Sequence, residues 1–373
     1  TADQIGGATN LGYSSQFTRL LDTGGNIFTD TIMHVTDLVS FEELDERLYS
    51  KVASADVVVD HMTGDMREYH LYKNRYELPF AIPVKGAPDT DAGGVTGIVN
   101  SFANAMGTKT DIAKTVDVAP AVNKADGHEI SEYNIAVVGN KALYFEGSCI
   151  DTDHYNTKIT VNGKVIPIPS IREFDNELFP AHFNNNTVEL GAFENGEVNV
   201  TIDMDVSDPD EKYDFTLYEI DLDVLASLCE SEPSGISAVQ GRRSLDIDLP
   251  KMSDEFTGIL IPVSYSGGWS AKVDGVSVKP QNINGLFMYV PTDGGSRVHM
   301  SYFPPFMMPG IIIAVVALIV VALFGLSDKK TKPATHKADR FLAFMYSAAF
   351  AAAFAVLYVV PFAYALLQKC GVL

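Results

Sequence analysis

Val198-Asn199-Val200-Thr201-Ile202-Asp203-Met204-Asp205-Val206-Ser207 alternates apolar and polar residues without a break. A period of two places one set of side chains on each face, so the stretch reads as a half-buried antiparallel strand. Working outward, Glu194-Asn195-Gly196 reads as a tight turn from Val188 and Leu190, and Ile159 and Val161 lead into Asn162-Gly163 and then Val165, Ile166 and Ile168. Asn-Gly between apolar runs is a hairpin signal. The same grammar returns downstream. Phe256–Tyr265 is an apolar strand, Ala271 and Val273 lead through Asp274-Gly275 to Val276 and Val278, and Leu286, Met288 and Val290 lead through Asp293-Gly294-Gly295 to Val298, Met300 and Tyr302. The fold class read from this is mainly β: two jelly-roll-like β-sandwiches, 129–228 and 236–305, joined near Glu230–Gly235.

Residues 1–128 are less regular and read as a small α/β region. Ser40 and Glu43 form a capping box for a helix over 41–55. Val57–Val59 and Glu68–Tyr72 read as short strands, Gly93–Gly97 as a loop, and Asn100–Met106 as a short helix.

Two uncharged apolar runs follow the β-region, Tyr302–Leu326 and Phe341–Leu367. At 1.5 Å per residue, the part of the first run after Pro305 spans about 30 Å, the hydrocarbon thickness of a bilayer, and the second run is longer still. Transmembrane helices are therefore expected over 306–326 and 341–367. The connecting residues 327–340 carry five basic and two acidic side chains, and short basic loops stay in the cytoplasm. Residues 1–305 are then extracytoplasmic. The small residues of the second run (Ser347, Ala348, Ala349, Ala351, Ala352, Ala353, Ala355) suit packing against further helices, of this protein or of other membrane subunits. The chain begins at Thr1 without a signal peptide, which leads to the expectation of a removed signal or a longer membrane protein.

Formal charge separates the regions further. The whole chain carries −21, and residues 307–373 hold six basic and two acidic residues. The preceding 306 residues thus hold 21 basic against 46 acidic, a surface that repels phosphate backbones and argues against a nucleic-acid partner. Of the three cysteines, Cys149 and Cys229 could pair or could both be buried thiols; their spacing identifies no framework.

At Tyr265-Ser266-Gly267-Gly268-Trp269 and Lys272-Val273-Asp274-Gly275 the chain resembles the YfhO-like bacterial membrane proteins. So do Val298–Pro305 running directly into an apolar helix, Asn10–Ser15, Asn26-Ile27-Phe28-Thr29-Asp30, Asn74–Pro79 and Asn100–Gly107. The motifs occur in order over residues 10–326. The resemblance implies a GT-C type glycosyltransferase, taking sugar from a polyprenyl-phosphate carrier to cell-envelope polymers such as teichoic acids. In that family the catalytic carboxylate lies in an early loop among N-terminal spans, outside the segment matched here, and one final helix follows the ectodomain where this chain has two. The implied role of this part is to position the polymer acceptor. A membrane-anchored carbohydrate-binding or scaffolding protein without catalysis is the alternative.

No catalytic constellation is visible: there is no HExxH, no GxSxG and no phosphate-binding glycine loop. Trp269, the only tryptophan, Tyr265 and Asp274 are the candidate carbohydrate contacts; for Trp269, core packing and a place at the membrane interface, with Tyr302 and Phe303 expected nearby in the fold, are the other readings. Asp205, Asp208 and Asp210 are the one calcium candidate, against a solvated acidic turn. Asp151, Asp153 and His154 form a similar cluster. No cofactor or resident metal is expected.

Overall fold

In the computed structural model, the described residues are 25–40, 43–60, 64–147, 157–166, 186–206, 215–231, 233–283, 285–328 and 345. The chain divides into two units, Thr1–Tyr302 and Phe303–Leu373. The first is built mainly of β-strands in four sheets.

Two 20-residue strands, β7 (His128–Gly147) and β10 (Asn186–Asp205), form the spine of the largest sheet. With β5 (Ala113–Thr115), β6 (Ala121–Ala125), β8 (Thr157–Val161), β9 (Lys164–Val165) and β11 (Phe215–Asp221) they give the order β5-β11-β7-β10-β8-β9, and β6 also pairs with β7. The alternation that begins at Val198 is realised as read: Val198, Val200, Ile202 and Met204 are buried while Asn199, Thr201 and Asp203 remain partly exposed. Glu194-Asn195-Gly196 is corrected from a turn to a bulge. The pairing shifts register between Glu189 and Gly191 and again between Glu194 and Gly196, and β10 runs on. Such bulges bend and twist a long strand without ending it. The bend brings Leu143, Phe145, Val188 and Leu190 from one half of the long strands into one apolar cluster with Ile135, Val198, Val200 and Ile202 from the other. The first β-module is therefore one sheet folded over itself.

The second β-module has two facing sheets. One contains β12 (Ser237–Gln240), β13 (Ser244–Asp248), β15 (Trp269–Val273), β16 (Val276–Val278) and β19 (Arg297–Tyr302), in the order β12-β13-β19-β15-β16. The other is β17 (Gln281–Ile283), β18 (Phe287–Pro291), β14 (Gly258–Ile261) and β4 (Ile82–Val84). Leu245, Ile247, Val298 and Met300 from the first meet Ile259, Ile261, Met288 and Val290 from the second in a shared core. Strand β4 comes from far upstream, so the N-terminal region is sewn into this module. The Asn162-Gly163 and Asp274-Gly275 hairpins have positive φ at both turn residues (49° and 80°; 47° and 86°), the geometry that matches strand twist.

The helix expected over 41–55 is absent where the residues are described. Tyr49–Asp60 is strand β2, paired along its length with β3 (Asp65–Asn74), which pairs in turn with β1 (Asp37–Ser40). A local capping box contributes about 1 kcal/mol. It loses to a run of cross-strand pairs that includes β-branched Val52, Val57 and Val58. Gly93–Gly97 is also corrected. Gly93 caps, and Gly94–Ala105 forms, helix α2, in which a Cβ on Gly97 would stand 3.2 Å from the Ala92 backbone. Close approach, rather than a loop, explains that glycine.

Helix α3 (Leu222–Ser231) covers the start of the expected linker; the Asp221 carboxylate accepts from the Asp223 and Val224 amides at 3.0 Å and caps it. A central core joins α2, α3, the outer face of the folded sheet and the β4–β14–β18 sheet. Phe102 meets Phe287 there with ring centroids 5.4 Å apart.

The second unit contains helix α4 (Met307–Asp328), 22 residues beginning within the first apolar run. Its side chains are described to residue 320, and among the described residues no helix is long and apolar enough to cross a membrane. The span expected over 341–367 lies outside the described residues apart from Met345, as do Cys149 and Cys370.

Candidate functional site

The most unusual environment surrounds a six-residue helix, α1 (Ile27–Ile32), all of whose residues are buried. Polar side chains seldom sit this deep without partners, yet Asn26 and Thr29 are 0% exposed and Asp30 is 3% exposed. The sequence explains the local fold: Asn26 is an N-cap whose side-chain oxygen accepts from the Thr29 amide at 2.9 Å.

The surrounding sheets supply the remaining partners. The Tyr49 hydroxyl donates to Asp30 at 2.6 Å. Asn26 donates through Nδ2 to the Tyr218 hydroxyl at 3.2 Å, and the Ile27 amide donates to the Tyr144 hydroxyl at 3.1 Å. Tyr144 and Tyr218 stack with centroids 5.4 Å apart. Asn74 donates to the Val35 carbonyl at 3.1 Å, closing the segment that follows α1.

Register places carboxylates on the same sheet face as these tyrosines. Glu189 on β10 lies opposite Tyr144 on β7, and Tyr144 lies opposite Tyr218 on β11; Glu146 is two residues along β7. Glu189 keeps some solvent contact, yet burial, followed by the negative charges of Asp45 and Asp30, pushes its carboxyl up to about 8. Burial pushes Glu146 up to about 7. The hydroxyls of Tyr49, Tyr144 and Tyr218 are all raised, chiefly by burial. Asp45 reaches the site through the bulge at Gly191 (φ +112°), where it accepts from the Ala192 amide at 2.8 Å. A Cβ on Gly191 would meet the Phe193 ring at 3.3 Å.

This chamber is a hydrogen-bonded lock around α1 beside which burial raises the Glu146 and Glu189 carboxyls well above the usual carboxylate range. Sequence reasoning missed it because Asp30, Tyr49, Glu146 and Glu189 belong to no motif spacing. One signal was available: Tyr144 and Glu146 alternate with Leu143 and Phe145, giving an internal strand two substantial faces.

The expected carbohydrate residues are placed differently from one another. Trp269 opens β15 opposite Tyr302, the last residue of β19, with ring centroids 5.1 Å apart. Tyr265 and Trp269 both pack partly against the second sandwich core. Asp274 lies at the other end of β15, about 16 Å along the strand. Its carboxylate accepts from the Ser296 and Arg297 amides at 3.0 Å and the Ser296 hydroxyl at 3.1 Å. Those donors, the Ser296 amide first, hold it below the usual carboxylate range. Trp269 and Asp274 therefore stand at opposite ends of β15. Asp205 ends β10, while Asp208, Asp210 and the Asp151, Asp153 and His154 cluster lie outside the described residues. Among the described residues no group of three or more His, Cys, Asp or Glu side chains is arranged to hold a metal ion.

No curated protein matches this chain. Among solved structures, arabinofuranosyltransferase AftD from Mycobacteria is 13% identical, covering 57% of this chain and 17% of its own, at a TM-score of 0.21. A GH2 beta-galacturonidase from Eisenbergiella tayi is 11% identical over 48% of this chain and 30% of its own, TM-score 0.18. A β-glucuronidase from Ruminococcus gnavus is 8% identical over 62% and 44%, TM-score 0.20. Scores this low describe local likeness only, and the chain spans about a sixth of the mycobacterial enzyme's length. The family comparison is of a different weight. The model described as "Bacterial membrane protein YfhO" matches residues 98–314, from within α2 through both β-modules and into α4. That stretch is more than half of the 373 residues, and the chain belongs to the YfhO family of bacterial membrane proteins.

Proposed function

We propose that this chain is the extracytoplasmic and membrane-anchoring part of a polyprenyl-phosphate-sugar-dependent glycosyltransferase, with the β-modules positioning a cell-envelope polymer acceptor. The observation that carries the reading is the family match over 98–314. Two apolar runs, over 306–326 and 341–367, anchor residues 1–305 on the extracytoplasmic side, with the basic 327–340 loop in the cytoplasm. The acid–tyrosine chamber then has a mechanical part: it fixes α1 to the folded sheet. Catalytic groups would be supplied by other membrane segments, of the same protein or of partner subunits.

The test is binding and transfer measured on the same preparation. The full chain in lipid nanodiscs is titrated with a fluorescently tagged teichoic-acid-type polymer, then supplied with a polyprenyl-phosphate sugar. Saturable polymer binding with no sugar transfer by this chain alone is the expected result. Turnover by the chain alone would place catalytic groups within it, and absence of polymer binding would remove the acceptor-positioning role.

A further inference from the structure

The end of the second sandwich that leads into α4 has a composition unlike the rest of the domain. Tyr302 is the last residue of β19, and four residues, 303–306, separate it from Met307 at the start of α4. Five residue steps of extended chain reach at most about 18 Å. Chain connectivity alone keeps Tyr302 within that reach of Met307.

Three segments meet at Tyr302. Trp269 meets its ring in a tilted contact with planes 51° apart, and the Ser266 hydroxyl donates to its hydroxyl at 3.2 Å. The Tyr302 amide donates to the Arg243 carbonyl at 2.8 Å, which brings in the tip of the β12–β13 hairpin. At that tip Arg242 and Arg243 are both exposed, and neither makes an ion pair among the described residues. The segments 241–244, 262–270 and 301–303 hold these two arginines and no acidic residue. In a region with more than twice as many acidic as basic residues, that is a local inversion of charge. At the opposite end of the same strands stand Asp248, Asp274 and Arg297. Phe303 and Phe306, in the connection itself, are 44% and 84% exposed.

We infer that this end of the sandwich, formed by Arg242, Arg243, Trp269 and Tyr302, docks on the headgroup layer of a bilayer containing anionic phospholipid. The inference rests on the proposed membrane span over residues 306–326. Guanidinium groups pair with lipid phosphates, and each basic residue near an anionic surface is attracted by it. Trp and Tyr rings favour the boundary between headgroups and acyl chains. The contact would fix the tilt of the β-modules over the membrane, which a single helix joined by four residues would leave free.

Trp269 is the only tryptophan, so its emission reports on this surface alone. The full chain is reconstituted in phosphatidylglycerol nanodiscs and in phosphatidylcholine nanodiscs, each made with and without lipid brominated high on the acyl chain. The expected result is loss of Trp269 emission to brominated lipid and protection from aqueous iodide in phosphatidylglycerol. Both effects should shrink in phosphatidylcholine and in Arg242→Gln/Arg243→Gln. A Trp269→Phe/Val276→Trp chain, with the probe at the far end of the sheet, should be quenched by iodide and untouched by brominated lipid. Iodide quenching of Trp269 without bromolipid quenching, or bromolipid quenching independent of lipid charge and of both arginines, overturns the inference. Co-elution of chain and nanodisc separates the two levels: failure to co-elute refutes the membrane span itself, whereas co-elution without bromolipid quenching refutes only the docking surface.

Discussion

Replacing Glu189 with Gln removes a strongly perturbed carboxyl of the chamber without altering its shape. In the folded chain this carboxyl is pushed from about 4.5 to about 8 by burial and by Asp45 and Asp30. At pH 4.5 and below it is protonated in the folded state. As pH rises, the unfolded chain releases its proton near 4.5 while the folded chain still holds it, so folding is progressively opposed until about pH 8. At 1.36 kcal/mol per unit the ceiling of the effect is about 5 kcal/mol. Solvent contact at Glu189 and relaxation around the charge screen it to about 2 kcal/mol. Glu189→Gln should match the parent near pH 4.5 and exceed its stability by about 2 kcal/mol at pH 8, a rise in melting temperature of about 4–8 °C. The assay is thermal unfolding in detergent at half-unit steps from pH 4.5 to 8.5, comparing the two proteins at each pH so that other titrations cancel. Identical pH slopes, or a variant less stable at pH 8, would refute the reasoning that Glu189 is ionised at a cost inside the fold.

Two further substitutions probe the same architecture. Tyr49→Phe leaves Asp30 buried without its 2.6 Å donor, and an unfolding midpoint lower by about 1–3 kcal/mol is expected; a neutral result would mean the lock around α1 does not depend on that bond. Gly258→Ala places a Cβ 2.4 Å from the Tyr289 ring and 2.7 Å from the Val290 carbonyl, so β14 must shift, with a loss of about 1–3 kcal/mol in chemical denaturation; an unchanged midpoint would contradict the close packing of β14 on β18.

Much of the β-architecture was legible locally. The Val198–Met204 alternation and the Asn162-Gly163 and Asp274-Gly275 turns depend on neighbours along the chain, and the structure realises each. What escaped depends on distant partners. Tyr49–Asp60 becomes a strand because β3 pairs with it, a gain that a capping box read at Ser40 cannot anticipate. Gly191 and Gly196 bend β10 rather than end it because β7 continues alongside. Strand β4 joins the second sandwich across a separation of more than 170 residues from β14. The chamber around α1 was hidden for a related reason: Asn26, Asp30 and Glu189 are residue types that ordinarily face water, and only the sheets closing over them reverse that expectation. The nearness of Trp269 to Tyr302 was legible in the sequence, whereas their place directly opposite one another depends on the register of β15 on β19.

These β-modules are proposed to serve sugar transfer to an envelope polymer. Membranes from a bacterium producing this protein, supplied with radiolabelled polyprenyl-phosphate sugar, measure it directly when compared with membranes in which residues 94–302 have been deleted and the apolar runs retained. Loss of label from the polymer, with labelled carrier still present, is the predicted result. Polymer labelling that proceeds unchanged without residues 94–302 would contradict the account.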